Sequence, residues 1–134
     1  MIDIESPVFD RVDARVREVF PDIFMTGEYV NSPASFPAAS IVEMDNSTRI
    51  ETVDSGSNEN HANVMYEVNV YSNKTVGKKS QCKKIIALID EEMLAMGFSR
   101  STLTPVPNEN DSTIYRMVGR YRATVSSDLK IFRR

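Results

Sequence analysis

Hydrophobic residues recur at helical spacing in two stretches of the chain, and these stretches predict two helices. The first runs over about residues 7–20, where Val8, Val12 and Val16 are four residues apart. Ser6 and Pro7 are favourable at the start of a helix, as a cap and as a first-turn residue. The second runs over about 77–96 with Gly97 placed as its C-terminal cap. Its apolar face comprises Cys82, Ile85, Ile86, Ile89, Met93 and Met96.

Strict alternation of apolar residues predicts strands between and after these helices. The clearest strand contains Val64, Tyr66, Val68 and Val70, with residues such as Glu67 on the opposite face. Further strands are expected at about 38–45, 98–106 and 113–125. Residues 23–31 are expected to form a strand or an extended entry segment, and residues 48–53 either continue the strand at 38–45 or pair with it. We therefore predict a single α+β domain over residues 1–134. It should be a mostly antiparallel four- to five-stranded sheet with two helices packed on one face.

Two segments are predicted to lie outside this core. Residues 54–62 contain no apolar residue before Ala62, which is typical of a mobile loop. Residues 127–134 are expected to form a basic C-terminal tail that contains Lys130, Arg133 and Arg134. The first five residues are acidic and lack the basic and apolar regions of a secretory signal.

The residue types that carry most enzyme chemistry are scarce. The chain has one cysteine, Cys82, and one histidine, His61, so it can form neither an intrachain disulfide nor a Cys/His zinc site by itself. Counting does not exclude a nucleophile paired with His61, but that histidine lies in the predicted loop. The sequence from Gly77 to Ser80 departs from the Gly-Lys-Ser order of a phosphate-binding loop. We expect no catalytic residue, metal or cofactor, and expect that the protein is not an enzyme.

Charge is distributed unevenly along the chain. The net charge is −3, yet most acidic residues lie in the first half and most basic residues in the second. Such an asymmetry is compatible with two solvated faces of opposite bias. It is also what head-to-tail association requires, where the acidic edge of one subunit meets the basic edge of the next.

Three arginines stand out in the last predicted strand. Arg116, Arg120 and Arg122 project to the same side, and Lys130, Arg133 and Arg134 extend the set along the chain. They could form a solvated sheet face, a face towards DNA phosphates or a face towards an acidic neighbouring subunit. No base-reading module is evident, so contact with DNA would be non-specific and sensitive to salt.

Several segments of the second half resemble small proteins of Gram-positive siphophage and prophage morphogenesis cassettes. The similarity is to the tail terminator or tail-completion (head–tail joining) family. It covers about half of the chain, and the first 60 residues agree only in the order of elements. The segments are YEVNVYSN (66–73), KSQCKKI (79–85), DEEM (90–93), MGF (96–98), PVPN (105–108) and IYRMVGRYRA (114–123).

The resemblance implies a virion protein, assembled in the host cytoplasm, that forms a hexameric ring between the neck and the tail tube. Its partners would be further copies of itself, the major tail tube protein and neck or head-completion proteins. DNA would pass through the lumen without sequence recognition, and no membrane would be involved. The loop at 54–62, with Asp54, Asn58, Glu59 and His61, would order on assembly, and the basic residues would line the lumen or a subunit seam. A head-completion adaptor and, more remotely, a non-specific nucleic-acid-binding protein are the alternatives.

Overall fold

Two helices and six strands make up the described part of the chain, which in this computed structural model comprises residues 1–30, 33–48, 61–107 and 111–133. In chain order they are α1 (Glu5–Val19), β1 (Phe24–Thr26), β2 (Ala38–Thr48), β3 (His61–Ser72), α2 (Lys78–Met96), β4 (Ser99–Pro105), β5 (Tyr115–Ser126) and β6 (Ile131–Arg133).

Helix α1 forms where the valine spacing predicts it but begins slightly earlier. Val8, Val12 and Val16 are buried, as a single apolar face requires. The N-terminal cap position is Ile4 rather than Ser6, and no side chain caps the helix there. Pro7 therefore lies within the first turn, where its missing N–H group costs no helical hydrogen bond.

Helix α2 agrees closely with its prediction, including its C-terminal cap. Gly97 has a left-handed backbone with φ of 110°, and its N–H donates to the carbonyl of Leu94 at 3.1 Å. A Cβ atom at Gly97 would lie 3.1 Å from the carbonyl oxygen of Ile131. Both the backbone angle and the close approach of the C-terminal segment thus favour glycine at this position.

The strands form one six-stranded mixed sheet in the order β1-β2-β3-β5-β4, with β6 paired to β5. Strand β1 is parallel to β2, and all other pairs are antiparallel. Two register shifts flank the central β3–β5 pair, one in β2 between Glu43 and Asp45 and one in β4 between Arg100 and Thr102. The α+β class and the mostly antiparallel sheet are confirmed, with one strand more than predicted.

That additional strand is β6, which lies inside the predicted C-terminal tail. Ser126 and Lys130 close a turn with a backbone hydrogen bond of 2.9 Å, and residues 131–133 then pair with residues 123–125 of β5. The prediction of a tail over 127–134 was therefore wrong for residues 131–133. Three residues are too few for an alternating pattern to show in the sequence.

The main core lies between the helices and one face of the sheet. It joins the buried faces of α1 and α2 to alternate residues of β2, β3 and β5, such as Ile41, Val68 and Tyr121. Tyr66 and Phe98 meet edge to face within it, with ring centroids 5.5 Å apart. On the other face of the sheet, the described residues form a small apolar cluster at one end, made of Ala38, Tyr71 and Ile114 with Phe24, Val30 and Phe36.

Candidate interaction face on the open side of the sheet

The face of the sheet opposite the helices is here called the outer face, and the strand register arranges its residues in rows. Successive side chains of a strand point to opposite faces, so the residues between the core positions lie on this side. One row contains Val42, Glu67, Arg120 and Thr102, and the next contains Asp45, Met65, Arg122 and Ser99. A third row contains Ser47, Asn63, Thr124 and Phe132.

A hydrogen-bonded network of four side chains crosses the outer face between β3 and β5. Arg120 Nε donates to Glu67 Oε2 at 3.1 Å, and Asn69 Nδ2 donates to Glu67 Oε1 at 3.1 Å. Arg116 donates to Asn69 Oδ1 from Nε at 3.0 Å and from Nη2 at 2.6 Å. Each carboxylate oxygen of Glu67 thus accepts one hydrogen bond, and Asn69 joins the two halves of the network.

The two β3 members of this network are buried although they lie on the open side of the sheet. Glu67 is 7% exposed and Asn69 is fully buried. Burying a carboxylate costs free energy unless it is paired with an opposite charge and hydrogen-bonded. Here Arg120 supplies the opposite charge, and Arg120 and Asn69 both donate hydrogen bonds to Glu67. The side chain of Arg120 remains 52% exposed, so its charge still faces solvent.

Arg116 is held from a second side by Tyr71. Its guanidinium carbon lies 5.7 Å from the centroid of the Tyr71 ring, within cation–π range. The Tyr71 hydroxyl donates to the carbonyl oxygen of Val30 at 3.1 Å. Burial raises the pKa of Tyr71, with Arg116 acting in the opposite direction. This end of the outer face is therefore closed by the segment that follows β1.

Arg122 differs from the other two arginines of the strand. It is exposed, and within the described ranges its side chain makes no hydrogen bond or ion pair. It lies opposite Met65, and Asp45 lies opposite Met65 on the other side. Among the three arginines singled out in the sequence, Arg116 and Arg120 are bound within the molecule and Arg122 is available to a partner.

The remaining residues singled out in the sequence do not gather at one place. Lys130 is exposed in the turn between β5 and β6. The backbone of Arg133 pairs with Ala123, and its side chain lies outside the described residues. Three of the predicted loop residues and the last arginine also lie outside the described residues; they are Asp54, Asn58, Glu59 and Arg134.

His61 and Ala62, the last two residues of the predicted loop, belong to β3, where His61 is the first residue and lies opposite Ser126. Ala62 is fully buried in the same strand, so the expectation of a mobile loop was wrong for these two residues. The ring of His61 is 6.3 Å from that of Phe132, which lies on the strand that the sequence did not predict. The polar residues that surround His61 in the sequence did not indicate that a strand such as β6 would pack beside its ring.

Glu67 and Asn69 are the functional candidates that sequence reasoning missed. Both alternate with the apolar residues of β3, so their shared face was predictable. Their partners were not, because the pairing of Glu67 with Arg120 depends on the register between two strands that are separated by α2 and β4.

On the helix side of the sheet, acidic residues cluster near the start of α1. The Tyr66 hydroxyl donates to Glu43 Oε2 at 3.1 Å. Burial, and then the charges of Glu43 and Asp3, raise the pKa of Glu5. A pocket of about 200 Å³ opens beside them, lined by Glu5, Ser6, Phe9, Asp10, Gly27, Ile41 and Tyr66. Within the described ranges no three acidic, histidine or cysteine side chains are placed to bind a metal ion.

Cys82 lies in the core, as its position on the apolar face of α2 predicted. Its Sγ donates to the carbonyl oxygen of Tyr115 at 3.4 Å, and burial raises the pKa of the thiol to about 12. The thiol is therefore protonated at neutral pH and unavailable as a thiolate nucleophile.

The fold and this face together define an α+β protein with one helix-covered sheet face and one open, charged face. No protein-family model matches the chain, and a search of curated proteins finds no match either. In the described part of the chain, neither helix is long and apolar enough to cross a membrane.

Proposed function

We propose that this chain is a structural subunit of a tailed phage or prophage particle, which forms a ring that ends the tail tube and joins it to the neck. The observation that carries the proposal is that strands towards the two opposite edges of the sheet carry exposed charges of opposite sign. The exposed Asp45 lies on β2, towards one edge of the sheet, whereas the exposed Arg122 lies on β5, towards the other edge.

A closed ring requires two different complementary surfaces on every subunit, because each subunit contacts its two neighbours through a heterologous interface. Opposite charges towards the two edges of one sheet supply such a pair of complementary surfaces. They also fix the direction in which subunits follow one another around the ring. The uneven charge along the sequence corresponds to different elements of the fold. The acidic first half contributes α1, β1 and β2, and the basic second half contributes α2, β4 and β5.

The resemblance of residues 66–123 to tail terminator and tail-completion proteins supports the same function. Most of the similar segments lie in β3, α2 and β5, which form the centre of the sheet and the helix packed on it. The resemblance also implies a fold of two helices and an antiparallel sheet, and the α+β class described above is compatible with it.

The geometry favours a seam over a DNA-binding surface for the arginine strand. Arg116 and Arg120 donate their hydrogen bonds to Asn69 and Glu67, and phosphate groups would have to compete with those partners. Arg122 alone is a weak basis for non-specific DNA binding, which draws its affinity from several phosphate contacts. A head-completion adaptor uses the same kind of interface and differs in its position in the particle.

Deletion of the gene from its phage or prophage tests the proposal, with virions and free tails measured by negative-stain electron microscopy. If the chain ends tube polymerisation, its loss yields unattached tails of irregular, extended length, and a plasmid copy of the gene restores uniform length. Unattached tails of uniform length would instead favour the adaptor. Normally attached tails of uniform length would contradict both. The purified chain mixed with tail tubes should form rings at one tube end.

A further inference from the structure

One row of the outer face changes sign from one end to the other. Asp45, Met65 and Arg122 lie directly opposite one another on β2, β3 and β5. Asp45 and Arg122 are exposed and Met65 is half-buried. Neighbouring strands are about 4.8 Å apart, so the backbones of the two charged residues are about 10 Å apart. The row therefore has a negative end, an apolar centre and a positive end.

We infer that two copies of this chain pair through their outer faces about a two-fold axis that runs parallel to the strands and passes beside Met65. Such an axis places the β2 side of one sheet over the β5 side of the other sheet. Asp45 of each copy therefore lies over Arg122 of the other. The two Met65 side chains then meet at the axis. An in-plane axis perpendicular to the strands would instead place Asp45 over Asp45 and Arg122 over Arg122. The charges thus select one of the two orientations.

The rows on either side are compatible with this pairing. On one side, Ser47 of each copy lies over Thr124 of the other, and both side chains are small and polar. On the other side, Arg120 of each copy lies over Val42 of the other, and the Glu67 residues of both copies lie near the axis. The Arg120 guanidinium paired with each Glu67 carboxylate offsets the repulsion between the two carboxylates across the axis.

The pairing is a property of the free chain and excludes the proposed ring contact, because both use the charges of Asp45 and Arg122. A two-fold interface uses the same patch on both subunits, whereas a ring repeats a heterologous one. Three rows on four strands amount to only about 300 Å² of flat face per copy. That is well below the roughly 800 Å² per partner of a stable complex, so the dimer is weak and forms only at high chain concentration.

Sedimentation equilibrium of the full chain between about 0.01 and 1 mM tests the pairing. Arg122→Glu and Asp45→Arg each place like charges face to face twice in the dimer, and each should raise the dissociation constant about tenfold or more. The double variant exchanges the charges and should recover the dissociation constant of the unmodified chain. Lys84→Glu is the matched control, since it makes the same charge change at an exposed site on α2.

The two single variants shift the net charge in opposite directions, so weakening by both cannot come from overall repulsion. Circular dichroism verifies that each variant is folded. The inference is overturned if the unmodified chain stays monomeric at 1 mM. It is also overturned if the double variant is as weak as the single ones, or if Lys84→Glu weakens pairing as much as Arg122→Glu.

Discussion

Asn69 is the side chain on which the outer-face network depends, and Asn69→Ala is the substitution that tests it. The fully buried amide accepts two hydrogen bonds from Arg116 and donates one to Glu67. Alanine removes all three while leaving the strand backbone unchanged. It also leaves the buried Glu67 carboxylate with Arg120 as its remaining side-chain partner in the network.

The expected loss of stability follows from the charged partners. A hydrogen bond to a charged group contributes about 1.5–3 kcal/mol, and a buried group left without a partner costs a similar amount. Arg116 and Arg120 can turn partly towards water, which recovers some of that loss. We therefore expect Asn69→Ala to lower the free energy of unfolding by about 3 kcal/mol, which for a chain of this size corresponds to a fall of roughly 10 °C in the midpoint of thermal unfolding.

Urea unfolding followed by circular dichroism measures the change, and Asn63→Ala supplies the matched control. Asn63 lies on the same strand and the same face but accepts one neutral hydrogen bond, from Thr124 at 2.9 Å. Its replacement should cost about 1 kcal/mol. If the two alanine variants lose equal stability, the network contributes nothing beyond ordinary single hydrogen bonds and the reasoning fails.

Three further predictions concern the helix side of the molecule. Gly97→Ala should destabilise the protein more than Gly77→Ala, because both glycines have positive φ but only at Gly97 would the new Cβ meet backbone; equal losses in urea unfolding would contradict this. Cys82 should react with a thiol reagent only after unfolding; because its pKa is raised from 9 to about 12, the stability it contributes is complete below pH 9 and declines as pH rises towards 12. Cys82→Ala should reduce that alkaline decline, to which Tyr66 and Tyr121 also contribute because burial raises their pKa values; an unchanged decline would assign it to the tyrosines. Tyr121→Phe should cost about 1.5–3 kcal/mol in urea unfolding, since the hydroxyl donates to the Asp90 carboxylate at 2.7 Å, and a cost under 0.5 kcal/mol would show that this bond is replaced by water.

The elements that the sequence predicted well are those with a long and regular pattern. The α2 face from Cys82 to Met93 repeats over three turns, and only packing against a core gives such a repeat. Strand β3 was likewise evident from the alternation of Val64, Tyr66, Val68 and Val70. The observed bounds of an element differ from the predicted ones by a few residues where the strand extends beyond the alternating pattern, as at the start of β3.

What escaped prediction depends on contacts between distant parts of the chain. Residues 23–31 were predicted as a strand or an extended segment, and in the described part of this stretch β1 comprises Phe24–Thr26, which pair with the first residues of β2. The candidate site was predicted in part: the common side of Arg116, Arg120 and Arg122 follows from strand alternation. That Glu67 and Asn69 hold two of them, and that Arg122 stays available, follows only from strand register, which local patterns do not encode.

The register shift in β2 has a consequence for how this chain tolerates changes in length. Glu43 lies opposite Tyr66 and Asp45 opposite Met65, so Met44 is the extra residue between two consecutive pairs. Losing any residue from a regular strand turns every following side chain to the wrong side of the sheet. Losing Met44 would only straighten β2, with Asp45 still directed outward and Asn46 still within reach of the Ile2 carbonyl oxygen to which it donates at 2.7 Å. Homologous chains one residue shorter at this point could therefore keep the same two faces.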